Sequence, residues 1–374
     1  MTARRPAPGK PERLFFPGVL LLAAAGVPLK AAESAGLLAL PLPAFWHGHE
    51  MLFGVAYGVI GGYLLVGLPQ RSIAIAFAAW LAGRAGLLLH TEAPLLATAL
   101  ALAYPASLAA LVGTRFLRAT KSARNAVFGP ILFALLAAQI VYEAQGLWPA
   151  GDLGRLGLLV AADLIFLMLF TMGGRIIAAA SSGAHQAQGR KLAGVAQPRL
   201  ELAGIAALAF MLLLEPWPAT APIAGALGAA AGSIILLRLW RWQVWRLIAV
   251  REVSLLHLGY LWLAAGLLAK GGAQIARSWP VLSVLHVGLV GGFGTLALTM
   301  IFRASLQRAR RPVRLDPLAT AAVLLLSLAA IARLAAIPAA APVVWIAISA
   351  GLWTVACLVL LTLSLCRPRR RTEQ

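Results

Sequence analysis

The sequence predicts an all-α integral membrane protein of about twelve transmembrane helices with both termini in the cytoplasm. Three observations predict it: an apolar composition, long apolar runs that recur along the chain, and basic residues confined to alternate connections. Hydrophobic residues make up 61% of the 374 and charged residues 12%, where ordinary globular domains are about 45–50% apolar. Apolar runs recur from Leu14 to Leu365, each long enough to cross a hydrocarbon layer of about 30 Å. The short alternating segments of a membrane β-barrel are absent from the sequence.

The first helix is expected over 14–32, behind Arg4, Arg5, Lys10 and Arg13; no small-residue cleavage site follows it, so it serves as a signal anchor. The second, 43–69, is entered through Pro41 and Pro43, a residue type tolerated in a first helical turn. Helices over 72–90 and 94–113 lead to Arg115, Arg118, Lys121 and Arg124, and those over 125–145 and 155–178 lead to Arg175, Arg190, Lys191 and Arg199. The one long connection, 179–199, is rich in Ser, Gly, Gln and Ala and reads as a loop between two six-helix halves.

In the second half, helices over 199–216 and 219–239 precede Arg241, Arg246 and Arg251. Helices over 253–270 and 280–302 precede Arg303, Arg308, Arg310, Arg311 and Arg314. Helices over 315–336 and 342–365 then lead into Arg367, Arg369, Arg370 and Arg371. The opposite side holds only Lys30, Arg155, Lys270 and Arg277, so the positive-inside rule places both termini in the cytoplasm. One transmembrane domain therefore spans 1–374, with basic tails at 1–13 and 366–374. The net charge of +20 records this topology and argues for no nucleic-acid partner. Cys357 and Cys366 lie nine residues apart on the last helix and form neither a CxxC pair nor a covalent-haem motif. The alternation of Trp240, Trp242 and Trp245 with Arg238, Arg241 and Arg246 reads as an interfacial aromatic belt with snorkelling arginines.

Polar groups inside such helices are costly and mark candidate sites. The densest is Trp46-His47-Gly48-His49-Glu50-Met51 at the outer start of the second helix. At about 100° per residue His47 and His49 diverge, whereas His47, Glu50, Met51, Gly54, Gly58 and Gly61 share a stripe. That stripe either admits a flat macrocycle or permits a close helix contact. His286, two turns into the tenth helix, precedes Gly288, Gly291, Gly292 and Gly294; Asp163 and Arg84 lie in the outer halves of their helices. The simplest account pairs these two charges with each other or with Glu50; the functional one has them orient His47 or His49. His257, with Tyr260 one turn on, sits near the inner face, as a second site or an interfacial anchor. His90 and His185 read as solvent-exposed. His, Met and carboxylate are ligands for copper, and His is the usual haem ligand among them.

These residues carry a resemblance to the NnrS family of bacterial inner-membrane proteins. The matching pieces are Trp46-His47-Gly48-His49-Glu50-Met51-Leu52-Phe53-Gly54, Gly62-Tyr63-Leu64-Leu65, Trp80-Leu81-Ala82-Gly83-Arg84, Asp163-Leu164-Ile165-Phe166-Leu167, Leu256-His257-Leu258-Gly259-Tyr260, Leu285-His286 and Met300-Ile301-Phe302-Arg303-Ala304-Ser305-Leu306. The resemblance implies a twelve-helix protein of the bacterial inner membrane that carries non-covalent b-type haem and copper and serves nitric oxide metabolism or resistance to nitrosative stress, often alongside denitrification. It implies His47, His49, His257 and His286 as metal-binding histidines; the chemistry of the neighbouring residues adds Met51 as a copper-ligand candidate and Glu50, Arg84, Asp163 and Tyr260 as candidates to orient the ligands. The chain resembles a divergent member: after the tenth helix a Gly-His-Thr-Gly-Arg element of the family is replaced by Gln307-Arg308-Ala309-Arg310-Arg311.

The leading expectation is thus a haem- and copper-binding membrane protein that takes a diatomic ligand such as nitric oxide, with turnover left open. The alternative is a proton-coupled secondary transporter using the intramembrane His, Asp and Arg groups. A cytochrome passing electrons across the membrane would need paired haem histidines at two depths, and His286 and His257 supply one each.

Overall fold

The computed structural model of the chain describes residues 9–118, 127–148, 151–277, 279–310 and 312–366. Arg4, Arg5, Lys121, Arg124, Arg311 and the terminal arginines from Arg367 onward, and with them most of the two basic tails, lie outside the described residues. Within them the chain forms helices and no strand.

Twelve helical rods follow one another in the described residues. They are α1 (Glu12–Ser34), α2 (46–64), α3 (Gln70–Leu89), α4 (Pro94–Arg118), α5 (Phe128–Leu147), α6 (Leu153–Ala187), α7 (Pro198–Leu214), α8 (Pro218–Arg241), α9 (Arg251–Ala276), α10 (Val281–Arg308), α11 (Pro317–Ala335) and α12 (Pro342–Leu365). Ten are long and apolar enough to cross a membrane, the exceptions being α2 and the short α7. This is a multi-pass membrane protein. Proline stands in the first turn of α4, α7, α11 and α12, where its missing N–H is one that a helix start leaves unbonded anyway. Asp316 caps α11 by accepting from the Ala319 N–H at 2.7 Å.

Sequential rods pack as neighbours, and α12 returns to lie against α1, where Trp353 Nε1 donates to the Ala23 carbonyl. α2, α6, α9 and α10 are the most enclosed rods. Their contacts run through small residues: a Cβ at Gly288 of α10 would strike Phe166 of α6, one at Gly266 of α9 would strike Gly288, and one at Gly259 of α9 would strike Leu296. Close backbone approach of this kind is how membrane helices associate without a hydrophobic drive between them.

The two ends of the bundle are fixed by contacts between helix termini. At one end, here called proximal, Arg308 at the end of α10 bonds Glu12 at the start of α1 and the Gly62 carbonyl at the end of α2. At the other, distal end, Trp46 at the start of α2 donates to Glu33 at the end of α1.

The expected loop over 179–199 is corrected. α6 continues through Ser181 and His185 to Ala187, and only 188–197 is non-helical. Its 35 residues span about 50 Å, so its last turns run past a hydrocarbon layer of about 30 Å. Alanine at 178, 179, 180, 184 and 187 favours helix there, and buried Ser181 and His185 give the extension a packed face. The aromatic belt is corrected in part. Trp240 and Trp245 are exposed, but Trp242 is buried, donates to the Val195 carbonyl and stacks on the buried guanidinium of Arg238 at 4.9 Å.

Candidate functional site

Four rods contain π-helical segments, where i→i+5 bonding widens the turn: Glu50–Ala56 in α2, Ala109–Gly113 in α4, Leu169–Gly173 in α6 and Val287–Gly294 in α10. Two of them begin directly after a histidine, His49 in α2 and His286 in α10. Such wide turns often accompany functional sites.

The widening in α2 changes which side chains share a face. Rotation per residue falls from Glu50 onward, so Met51 stays in line with His47 while Glu50 swings toward α3. His47 and Met51 therefore face one cavity, and His49 and Glu50 belong to a separate cluster. The expected stripe of His47, Glu50 and Met51 is corrected at Glu50. Its glycines serve packing: a Cβ at Gly54 would meet Leu22, one at Gly58 would meet Val19 and Trp80, and one at Gly61 would meet the Tyr104 hydroxyl and Phe15. The space that a macrocycle would need along that stripe is filled by side chains of α1, α3 and α4.

The cavity measures about 300 Å³ and lies at the distal end among α1, α2, α6, α10, α11 and α12. His47 and Met51 of α2, His286 of α10, and the cations Lys30 and Arg333 supply its polar groups; Leu285, Leu289, Phe293 and Trp353 are typical of the rest of its wall. His286 Nδ1 donates to the Leu282 carbonyl one turn back at 2.9 Å, which fixes the tautomer and leaves Nε2 with its lone pair. His47 Nδ1 is buried without a hydrogen-bond partner. The two imidazoles lie within electrostatic range of each other, and Arg333 of both. His47 Nδ1 and the Met51 thioether both reach this cavity without a hydrogen bond that would occupy them.

The second cluster surrounds His49. Its Nδ1 lies 2.9 Å from Glu50 Oε1 and its Nε2 lies 3.0 Å from Glu143 Oε1 of α5, while Arg84 of α3 pairs with Glu50 at 2.7 Å. His49 is fully buried and both its ring nitrogens are engaged, so it has no lone pair free for a metal. Arg84 does pair with Glu50, one of the two pairings expected of it. Asp163 does not join them: it bonds Lys270 of α9 at 2.6 Å, and Lys270 also reaches Glu215 just beyond α7 at 3.0 Å. Lys270, expected on an outer connection, is wholly buried.

At the proximal end His257 of α9 is buried, with Nε2 2.8 Å from the Ser181 hydroxyl and Nδ1 without a partner. His185, expected to be solvent-exposed, is also buried; its Nε2 donates to the Trp242 carbonyl, and it lies near enough to His257 to affect its charge. Tyr260 turns to a different set, donating to the Phe170 carbonyl and accepting from Arg238. His90 bonds the Leu87 carbonyl of its own helix end.

The sequence reading placed His47, His49, Glu50, Arg84, Asp163 and His286 at one depth, and the structure brings all six to the distal end. It divides them among three places: the cavity, the His49 cluster and the Asp163 group. Glu143, Glu215 and Arg333 were missed. Each lies within about a turn of a distal helix end, where a charged residue reads as an interfacial anchor; the signal available was that several such ends carry charge at one level.

Fold and site together define a polytopic α-helical membrane protein with a histidine-bearing cavity near one membrane face. The family of NnrS proteins matches residues 10–369, nearly the whole chain. The chain belongs to the NnrS family. No curated protein matches it.

Proposed function

We propose that this protein, in the bacterial inner membrane, binds haem and copper at its distal end and handles nitric oxide or a nitrosylated species there. The observation that carries this reading is the cavity in which His47, Met51 and His286 meet. The residues fit such groups. His286 Nε2 is oriented by the bond from Nδ1 to a backbone carbonyl, the arrangement that positions imidazole ligands; His47 Nδ1 is buried and unpartnered. The apolar wall suits a macrocycle, and Lys30 and Arg333 suit its carboxylates.

In this reading His286 would hold haem iron, and His47 with Met51 would hold copper, since imidazole and thioether are both copper ligands. Bound iron would supply a coordination position for a diatomic ligand. The protein's own part is to fix the His286 tautomer, exclude water with Leu285, Leu289 and Phe293, and neutralise anionic groups with Arg333 and Lys30. His49, Glu50 and Arg84 would stiffen the first turns of α2 that carry His47. His257, with its free Nδ1 beside His185, would be a second imidazole site at the proximal end.

Iron and copper content of the detergent-purified protein, with its visible spectrum before and after dithionite and nitric oxide, tests this. Bound iron with a nitric-oxide-dependent shift of the absorption band is expected. A metal-free, colourless protein would leave proton-coupled transport as the better reading.

A further inference from the structure

The distal cavity does not use Asp163, Lys270 or Glu215. Lys270 Nζ donates to both Asp163 oxygens at 2.6 Å and to Glu215 Oε2 at 3.0 Å, with all three side chains buried. Those contacts engage all three ammonium protons. Two carboxylates here face one cation. Other buried carboxylates among the described residues are matched: Glu50 and Glu143 share Arg84 and the doubly engaged His49, and Glu201 pairs with Arg175. Among the described residues the neighbouring elements do not supply the missing charge. Arg155 at the start of α6 and Arg277 after α9 are exposed to solvent, Gln274 of α9 is neutral, and α8 and α10 line the cleft with the uncharged Pro218, Ala221, Ala224 and Val281. A buried net charge is disfavoured, and one added proton cancels it.

We propose that Asp163, Glu215 and Lys270 form a proton-binding site that holds one exchangeable proton between its two carboxyl groups and loads it from the distal face. A cleft of about 290 Å³ reaches Glu215 and Gln274 past Arg155, Trp217, Arg277 and Trp279. Gln274 Nε2 donates to Glu215 Oε2 at 3.2 Å, while its own Oε1 is buried without a partner. That free acceptor beside a carboxylate marks a place for a hydrogen-bond donor, water or hydronium. Loading is a plain transfer: an O–H bond of hydronium in the cleft breaks, one forms on a carboxylate oxygen, and water remains. The site also stands in the wall between this cleft and the histidine cavity. Leu159 of α6 and Val281 of α10 line the cleft, while Leu158, Ala162 and Leu282 line the cavity.

Infrared spectroscopy of the full-length protein in lipid films tests the site without reference to any cofactor. The wild type near neutral pH is expected to show a carboxylic-acid C=O band that shifts in D2O. Asp163→Asn and Glu215→Gln should each abolish that band, because either leaves one carboxylate for one ammonium. Isotopic labelling of aspartate and glutamate carboxyls in the wild type assigns it even where a variant fails to fold. Gln274→Leu should slow its deuterium exchange several-fold. A wild type without the band, a band untouched by both carboxyl substitutions or by labelling, or an exchange rate indifferent to Gln274 would overturn the proposal.

Discussion

His49 lies between Glu50 and Glu143, and Glu50 in turn holds Arg84. These side chains come from α2, α3 and α5, so the cluster ties three rods together below the surface. Removing one partner of a buried ion pair leaves the other uncompensated, at a cost of about 3–5 kcal/mol. His49→Ala is therefore expected to destabilise the protein by about 3 kcal/mol, seen as a lowered unfolding midpoint in detergent; an unchanged midpoint would contradict the structural role. The sequence identified His49 as polar and divergent from His47, because helical rotation alone separates them. It did not disclose Glu143, which belongs to another helix and enters through tertiary packing. Lys270 was misplaced for a related reason: a lysine near a helix end resembles a snorkelling residue unless its carboxylate partners are known.

At the scale of elements, the helical segments were legible from hydropathy, and their order and mostly their limits agree with α1 to α12, ten of which are long and apolar enough to cross a membrane. Two features were not. The π-helical segments are one, and their effect on α2 is to move Glu50 off the face of His47 and keep Met51 on it. The end of α6 was also hidden, because Ser, Gly and Gln around 181–190 resemble a loop until Ser181 and His185 are packed against His257 and Trp242. For the glycines after His286 the structure gives the partners. A Cβ at Gly288 would lie 2.6 Å from Phe166 Cζ. Gly288→Val should cost about 1–3 kcal/mol, as overpacking does, with part regained in the double variant with Phe166→Ala. Equal stability of the single variant and the wild type would show that α6 and α10 have room to separate.

The whole molecule concentrates its buried polar chemistry at the two ends of a membrane bundle. Proximally, His257, His185 and Ser181 lie beside the Arg238–Tyr260 contact; distally, three groups stand within a few turns of one another. Composition and charge pattern made the membrane architecture legible, and family-specific motifs pointed to the histidines. Which histidines share a cavity required the packing of six rods, and no spacing within one segment encodes that. The account assigns His286 and His47 to the cavity and gives His49 a structural task, so the visible spectra of purified His286→Ala, His47→Ala and His49→Gln proteins test it most directly. The wild type is expected to show a haem absorption band that responds to nitric oxide, is lost in His286→Ala, is altered in its nitric oxide response in His47→Ala, and persists in His49→Gln. A band that survives His286→Ala and disappears in His49→Gln, or no band in the wild type, would contradict it.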